Sequence, residues 1–127
     1  MDKRCVLVVE DNERNRKLVR TILRFRGFEV IECEDGAPVV GLAKKHRPAL
    51  ILMDIQLPTV DGITALERLR ADPETKSIPV TAVTASVTPG EREKVMAAGF
   101  NAYVGKPIDV DAFGALIDRF VPREAKA

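Results

Sequence analysis

Glu10 and Asp11, Asp54, Thr84 and Lys106 are the residues of this chain whose types and placement point to shared chemistry. They are three carboxylates, a hydroxyl and an ammonium, each at or just past the end of an apolar, strand-like run. Glu10 and Asp11 follow Cys5 to Val9, Asp54 follows Ala49 to Met53, Thr84 follows Pro79 to Val83, and Lys106, with Pro107 behind it, follows Asn101 to Val104. Two like charges ~4 Å apart repel by about 4 kcal/mol at an effective dielectric of about 20, so converging carboxylates ask for a cation. An all-oxygen donor set completed by water favours Mg²⁺, and no Cys/His set has zinc spacing. A metal and a lysine facing one carboxylate suit a doubly charged phosphoryl group better than other small ligands. Singly, each residue has a plainer reading: Asp11 as a helix cap, Asp54 as a loop aspartate, Thr84 as a turn hydroxyl, Lys106 as a solvated lysine. The conjunction at four strand ends carries the chemical reading.

The elements that must position these groups alternate along the chain. Cys5 to Val9 and Ala49 to Met53 are continuous apolar runs, as expected of strands buried on both faces. From Asn12 to Arg26, Leu18, Val19, Ile22, Leu23 and Phe25 recur mainly at helical spacing, and Gly27 ends the helix. Glu29 to Cys33 reads as a second strand, and Pro38 to His46 as a helix ended by Pro48. Asp61 caps a third helix running to about Ala71, with Ile63, Leu66 and Leu69 inward. Thr88-Pro89-Gly90-Glu91 has the spacing of a capping box, and Gly99 ends that helix. Phe113, Leu116, Ile117 and Phe120 form the inward stripe of a last helix. Strand–helix alternation with buried strands predicts an α/β fold, a doubly wound five-stranded parallel sheet with helices on both faces. Ligands of such a sheet bind at the carboxyl edge of the strands. The bond between Lys106 and Pro107 is a candidate cis peptide that aims Lys106 inward.

A length of 127 residues predicts one domain, over 1–122, with a polar tail at 123–127. Charged residues make up 31% yet leave a net charge of +1, which argues against a dedicated nucleic-acid binder. No apolar run approaches the roughly 20 residues that span a bilayer, and no signal-peptide pattern opens the chain, so the expectation is a cytoplasmic protein without membrane insertion. Cys5 and Cys33 read as two buried free thiols.

Four stretches give the chain a resemblance to the receiver domain of bacterial two-component response regulators, over essentially its whole length. They are Val8-Val9-Glu10-Asp11-Asn12, Leu50 through Asp54-Ile55-Gln56-Leu57-Pro58 with Asp61-Gly62, Val83-Thr84-Ala85, and Tyr103 through Lys106-Pro107. The resemblance implies a flavodoxin-like fold and a stand-alone regulator in which Asp54 attacks the phosphorus of a phosphohistidine on a sensor histidine kinase or histidine phosphotransfer protein. Asp11 and Glu10 then hold Mg²⁺ together with Asp54 and the backbone carbonyl of Gln56. Lys106 pairs with one phosphoryl oxygen and the Thr84 hydroxyl with another. Thr84 and Tyr103 form the switch, Gln56 and Ser86 set access of water to the phosphate, and a downstream protein reads the result. No nucleic-acid output is expected, since a DNA-binding regulator would need an attached effector domain and the chain stops at Ala127. The chain is thus expected to be no enzyme beyond assisting its own phosphorylation and dephosphorylation. A phosphate sink or relay intermediate has the same site. A small Mg²⁺-dependent phosphatase is disfavoured because Gln56 stands where a second aspartate is needed.

Three further features are read from the residues. Arg14, Arg16, Lys17, Arg20, Arg24 and Arg26 give the first helix a basic face, either solvated or docking an acidic partner. The fourth helix has few apolar anchors, Val95 and Met96, and so shifts at low cost. His46 near a helix end suits the helix dipole better than catalysis.

Overall fold

The computed structural model describes residues 4–85 and 88–121. Five strands alternate with five helices: β1 (Cys5–Val9), α1 (Glu13–Phe25), β2 (Glu29–Cys33), α2 (Val39–His46), β3 (Leu50–Asp54), α3 (Gly62–Ala71), β4 (Val80–Thr84), α4 (Pro89–Ala97), β5 (Ala102–Gly105) and α5 (Val110–Phe120). All pairings are parallel, in the order β2-β1-β3-β4-β5. The order reverses direction at β1, which puts the ends of β1 and β3 side by side at a crevice where open α/β sheets bind ligands.

Because successive strand residues face opposite ways, each inner strand supplies two cores. Leu7 and Val9 of β1, with Ile51 and Met53 of β3, pack under α2, α3 and α4 through Val39, Leu66, Leu69 and Val95. Val6 and Val8, with Leu50 and Leu52, pack under α1 and α5 through Val19, Leu23, Phe113 and Ile117. β3 is buried along its whole length, whereas the edge strand β2 is only half-buried. Cys5 and Cys33 are free thiols, half-buried rather than buried. Burial pushes the Cys33 thiol up to about 11.

Side-chain caps fix where the helices begin. Asn12 accepts from the Asn15 amide, Asp61 from Thr64, Thr88 from Glu91 and Asp109 from Ala112. Arg47, at φ 47, turns the chain out of α2 ahead of Pro48. Three apolar residues that the helical pattern singled out are exposed. Phe25 lies two residues beyond Leu23, about 200° around α1, and stands 91% exposed, while Leu18 is 37% exposed. Met96 is exposed too, leaving Val95 as the buried residue of α4.

Thr81, in the middle of β4, is fully buried, and its hydroxyl has no hydrogen-bond partner among the described residues. Thr81→Val removes that orphaned donor at nearly constant volume and is expected to raise unfolding stability by about 1 kcal/mol in urea titrations. A loss of stability instead would mean the hydroxyl is satisfied in solution.

Candidate functional site

Parallel strands that end together bring their terminal residues to one edge. Glu10 follows β1, its amide donating to Cys33 O at 3.0 Å across the β1–β2 pair. The residue is 3% exposed, and its Oε2 accepts from the Asn12 amide at 3.1 Å. Asp54 is the last residue of β3, 6% exposed, with Oδ1 accepting from the Gln56 amide at 3.1 Å. The Lys106–Pro107 peptide bond is cis, and Lys106 Nζ lies 2.8 Å from Glu10 Oε1 and 2.9 Å from Asp54 Oδ2. One ammonium thus bridges two carboxylates that burial would otherwise force apart. Asp11 is exposed beside them, and carboxylate oxygens of Glu10, Asp11 and Asp54 all lie within 4.8 Å of one another.

The electrostatics follow from burial. Loss of water pushes the Glu10 carboxyl up to about 7; Lys106 pulls against this and the Asp54 carboxylate adds to it. Burial pulls the Lys106 ammonium down, but the Glu10 and Asp54 carboxylates outweigh it and leave its pKa above the ordinary lysine value. The ammonium therefore stays charged beside a Glu10 carboxyl that burial holds well above the ordinary carboxylate range. Three carboxylates without nitrogen or sulfur donors form a hard-oxygen set that fits Mg²⁺.

The family model for the response regulator receiver domain matches residues 6–118. The chain belongs to this family. Among its curated relatives is the polar-differentiation response regulator DivK of Brucella anthropi, 46% identical over 110 residues that cover 87% of this chain and 89% of that protein. The receiver domain of a Pseudomonas aeruginosa sensor histidine kinase, solved with a magnesium ion coordinated in its active-site cleft, is 33% identical. It superposes with a TM-score of 0.87 over 96% of this chain and 100% of that one. A response regulator from Desulfuromonas acetoxidans, 27% identical, gives 0.83 over 91% and 94%. Receiver domains are modules of two-component signalling rather than metabolic enzymes, and the fold is that of the family.

The receiver's other sequence-selected residues are placed as follows. Thr84 ends β4 opposite Gly105, 6% exposed, and its carbonyl accepts from the Lys106 amide at 2.9 Å. Tyr103, on β5, is half-buried against the core, with the Arg92 guanidinium of α4 5.8 Å from its ring centroid. Gln56 is exposed in the loop after β3. Ser86, and the tail at 123–127, lie outside the described residues. No described helix is long and apolar enough to cross a membrane.

The basic face of α1 divides in two. Arg16 donates to Glu10 O at 2.9 Å and pairs with Glu32 and Glu34 of β2 and the loop after it. Arg20 pairs with Glu32, and Arg26 with Asp118 of α5. Arg14, Lys17 and Arg24 face solvent. Arg16 therefore belongs to the frame of the receiver site, which sequence reading missed because its partners lie on another strand. Asp35 was missed as well, though an Asp-Gly pair directly after a strand is a turn signal.

Proposed function

We propose that this receiver accepts a phosphoryl group on Asp54 from a phosphohistidine of a sensor histidine kinase or histidine phosphotransfer protein, and signals through altered protein contacts. The observation that carries the reading is the Lys106 ammonium held within 2.9 Å of Asp54 and within 2.8 Å of Glu10, with Asp11 close enough for the three carboxylates to share a cation. A carboxylate oxygen of Asp54 attacks phosphorus, the N–P bond breaks with its electron pair passing to the imidazole, and an acyl phosphate forms. Glu10, Asp11, Asp54 and the Gln56 carbonyl would hold Mg²⁺, which when bound neutralises charge on the transferring phosphoryl oxygens.

The chain's own groups do the rest by position. Lys106 sits at hydrogen-bond distance of Asp54 Oδ2 and would pair with a phosphoryl oxygen once Asp54 is phosphorylated. Thr84, one strand over, offers its hydroxyl to another oxygen, and its displacement opens room toward Tyr103. α4, held by one buried side chain, is the element that yields at low cost. Gln56 and Ser86 match the family positions that set how readily water hydrolyses the acyl phosphate. The output is contact with a downstream protein.

Intact mass after incubation with acetyl phosphate tests the acceptor. A Mg²⁺-dependent gain of one phosphoryl group, absent in Asp54→Asn, is expected. A gain that survives in Asp54→Asn would move the acceptor elsewhere, and no gain with acetyl phosphate or with a phosphorylated histidine donor would remove the function.

A further inference from the structure

The β2–α2 loop makes an attachment to the loop after β3 that the chemistry above leaves unused. Asp35 Oδ1 accepts from the backbone amides of Thr59 at 2.8 Å and Val60 at 3.1 Å. Its Oδ2 accepts from the Ala37 amide, within its own loop, at 3.0 Å. Gly36 donates its amide to Val60 O at 3.1 Å, and a Cβ at Gly36 would collide with that carbonyl. Two residues of one loop thus take up the Thr59 amide and both backbone groups of Val60. A fixed side-chain oxygen accepting these amide protons holds the loop in place, as water would not. The amide of Thr59, ahead of those of Ala37 and Val60, holds the Asp35 carboxyl below its ordinary value, so the acceptor is ionised throughout the neutral range.

The loop so fastened, 55–61, joins Asp54 to the cap of α3. Its ends are closed by Gly62 donating to Ile55 O at 2.8 Å. Gln56 lies between Asp54, which accepts its amide, and the Thr59–Val60 attachment. A loop free at its apex would have to be ordered when its carbonyl meets a cation, and that ordering opposes binding.

We propose that Asp35 is a positioning residue for the cation site, ordering loop 55–61 in advance so that the Gln56 carbonyl is presented without further cost. The inference rests on the reading of Glu10, Asp11 and Asp54 as a Mg²⁺ site. It concerns binding before any phosphoryl group arrives.

Calorimetric titration of the native chain with Mg²⁺, beside Asp35→Ala, Asp35→Asn and Arg26→Ala, separates the possibilities. Asp35→Ala is expected to raise the Mg²⁺ Kd about tenfold, the low end for a group that orients a ligand without touching the metal. Asp35→Asn keeps an oxygen for Thr59 and Val60 and loses only the acceptor for Ala37, so its Kd should stay within about threefold of native. Arg26→Ala, which breaks the ion pair to Asp118 at the far end of α1, should lower the unfolding midpoint and leave Kd unchanged. An unchanged Kd in Asp35→Ala, or Asp35→Asn falling as far as Asp35→Ala, overturns the inference; the second result would mean that charge alone matters. A native chain that binds no Mg²⁺ overturns the cation site and the inference together. Should Asp35→Ala not fold, amide hydrogen exchange in the native chain decides. Thr59 and Val60 should be protected before Mg²⁺ is added, and protection that arises only with Mg²⁺ overturns the proposal.

Discussion

Gly62→Ala is expected to lower the free energy of unfolding by about 3 kcal/mol, although alanine exceeds glycine by about 1 kcal/mol inside a helix. Gly62 opens α3 and is buried, with a Cβ there colliding with Asp54 O and standing 2.9 Å from Ile55 Cα. Both obstacles are backbone atoms, so no rotamer change relieves the overlap. α3 cannot back away as a body, because Ala65, Leu66 and Leu69 are fully buried in the core under β3. The displacement therefore falls on the end of β3, where Asp54 sits, and on the Gly62–Ile55 hydrogen bond that closes the loop. Urea unfolding reads the stability loss. Acetyl phosphate labelling of the folded fraction should fall at least about tenfold, since small displacements of reacting groups cost that much and more. Gly41→Ala is the control: it lies within α2 with nothing near its Cβ and is expected to gain about 0.5–1 kcal/mol. Gly62→Ala unfolding within 1 kcal/mol of native would mean that the β3–α3 corner is plastic.

The sequence made the architecture legible because its local signals agree with the global fold. The inner strands β1 and β3 are short apolar runs with no competing helical period, and each helix from α3 to α5 carries a capping residue ahead of its first turn. The site was legible for a related reason. In a parallel sheet the first polar residue after an apolar run sits at the carboxyl edge, so residue type and order alone bring Glu10, Asp54 and Lys106 together. Their contacts at 2.8 and 2.9 Å are the outcome of that placement.

What stayed hidden depends on distance along the chain. Arg16 looked like one of six cations on a solvated helix. Its commitment to Glu10, Glu32 and Glu34 requires knowing that β2 lies beside β1, so composition alone could not separate it from Arg14 or Lys17. Asp35 went unread, because its bonds to Thr59 and Val60 cross 24 and 25 positions. Phe25 failed for the opposite reason. Its apolar type suggested the core, but the 3.6-residue period carries it to the outer side of α1. Residue type is a weaker guide than phase.

Mg²⁺ is expected to bind about tenfold more weakly at pH 6 than at pH 8. Burial pushes the Glu10 carboxyl up to about 7 in the metal-free chain, and only the ionised carboxylate can serve as a ligand. Such a group is about one-tenth ionised at pH 6 and about nine-tenths ionised at pH 8, which sets the size of the effect. Calorimetry in buffers of different ionisation heat reads both the affinity and the proton released on binding. Glu10→Gln should weaken binding and flatten its pH dependence. The same shift fixes the sign for the metal-free fold. The folded pKa lies above the ordinary value of 4.5, so the folded chain holds more protons than the unfolded one between 4.5 and about 7. Glu10's contribution is therefore complete below that window and is lost as pH rises through about 7. Asp35 and Asp72, held below 3.8 by their hydrogen bonds, lose their contributions only at lower pH and do not offset it. Saturating Mg²⁺ should accordingly raise the unfolding midpoint more at pH 8 than at pH 6. Equal metal-free stability at the two pH values, with an affinity that does not change, would show that Lys106 alone keeps Glu10 ionised in the folded chain.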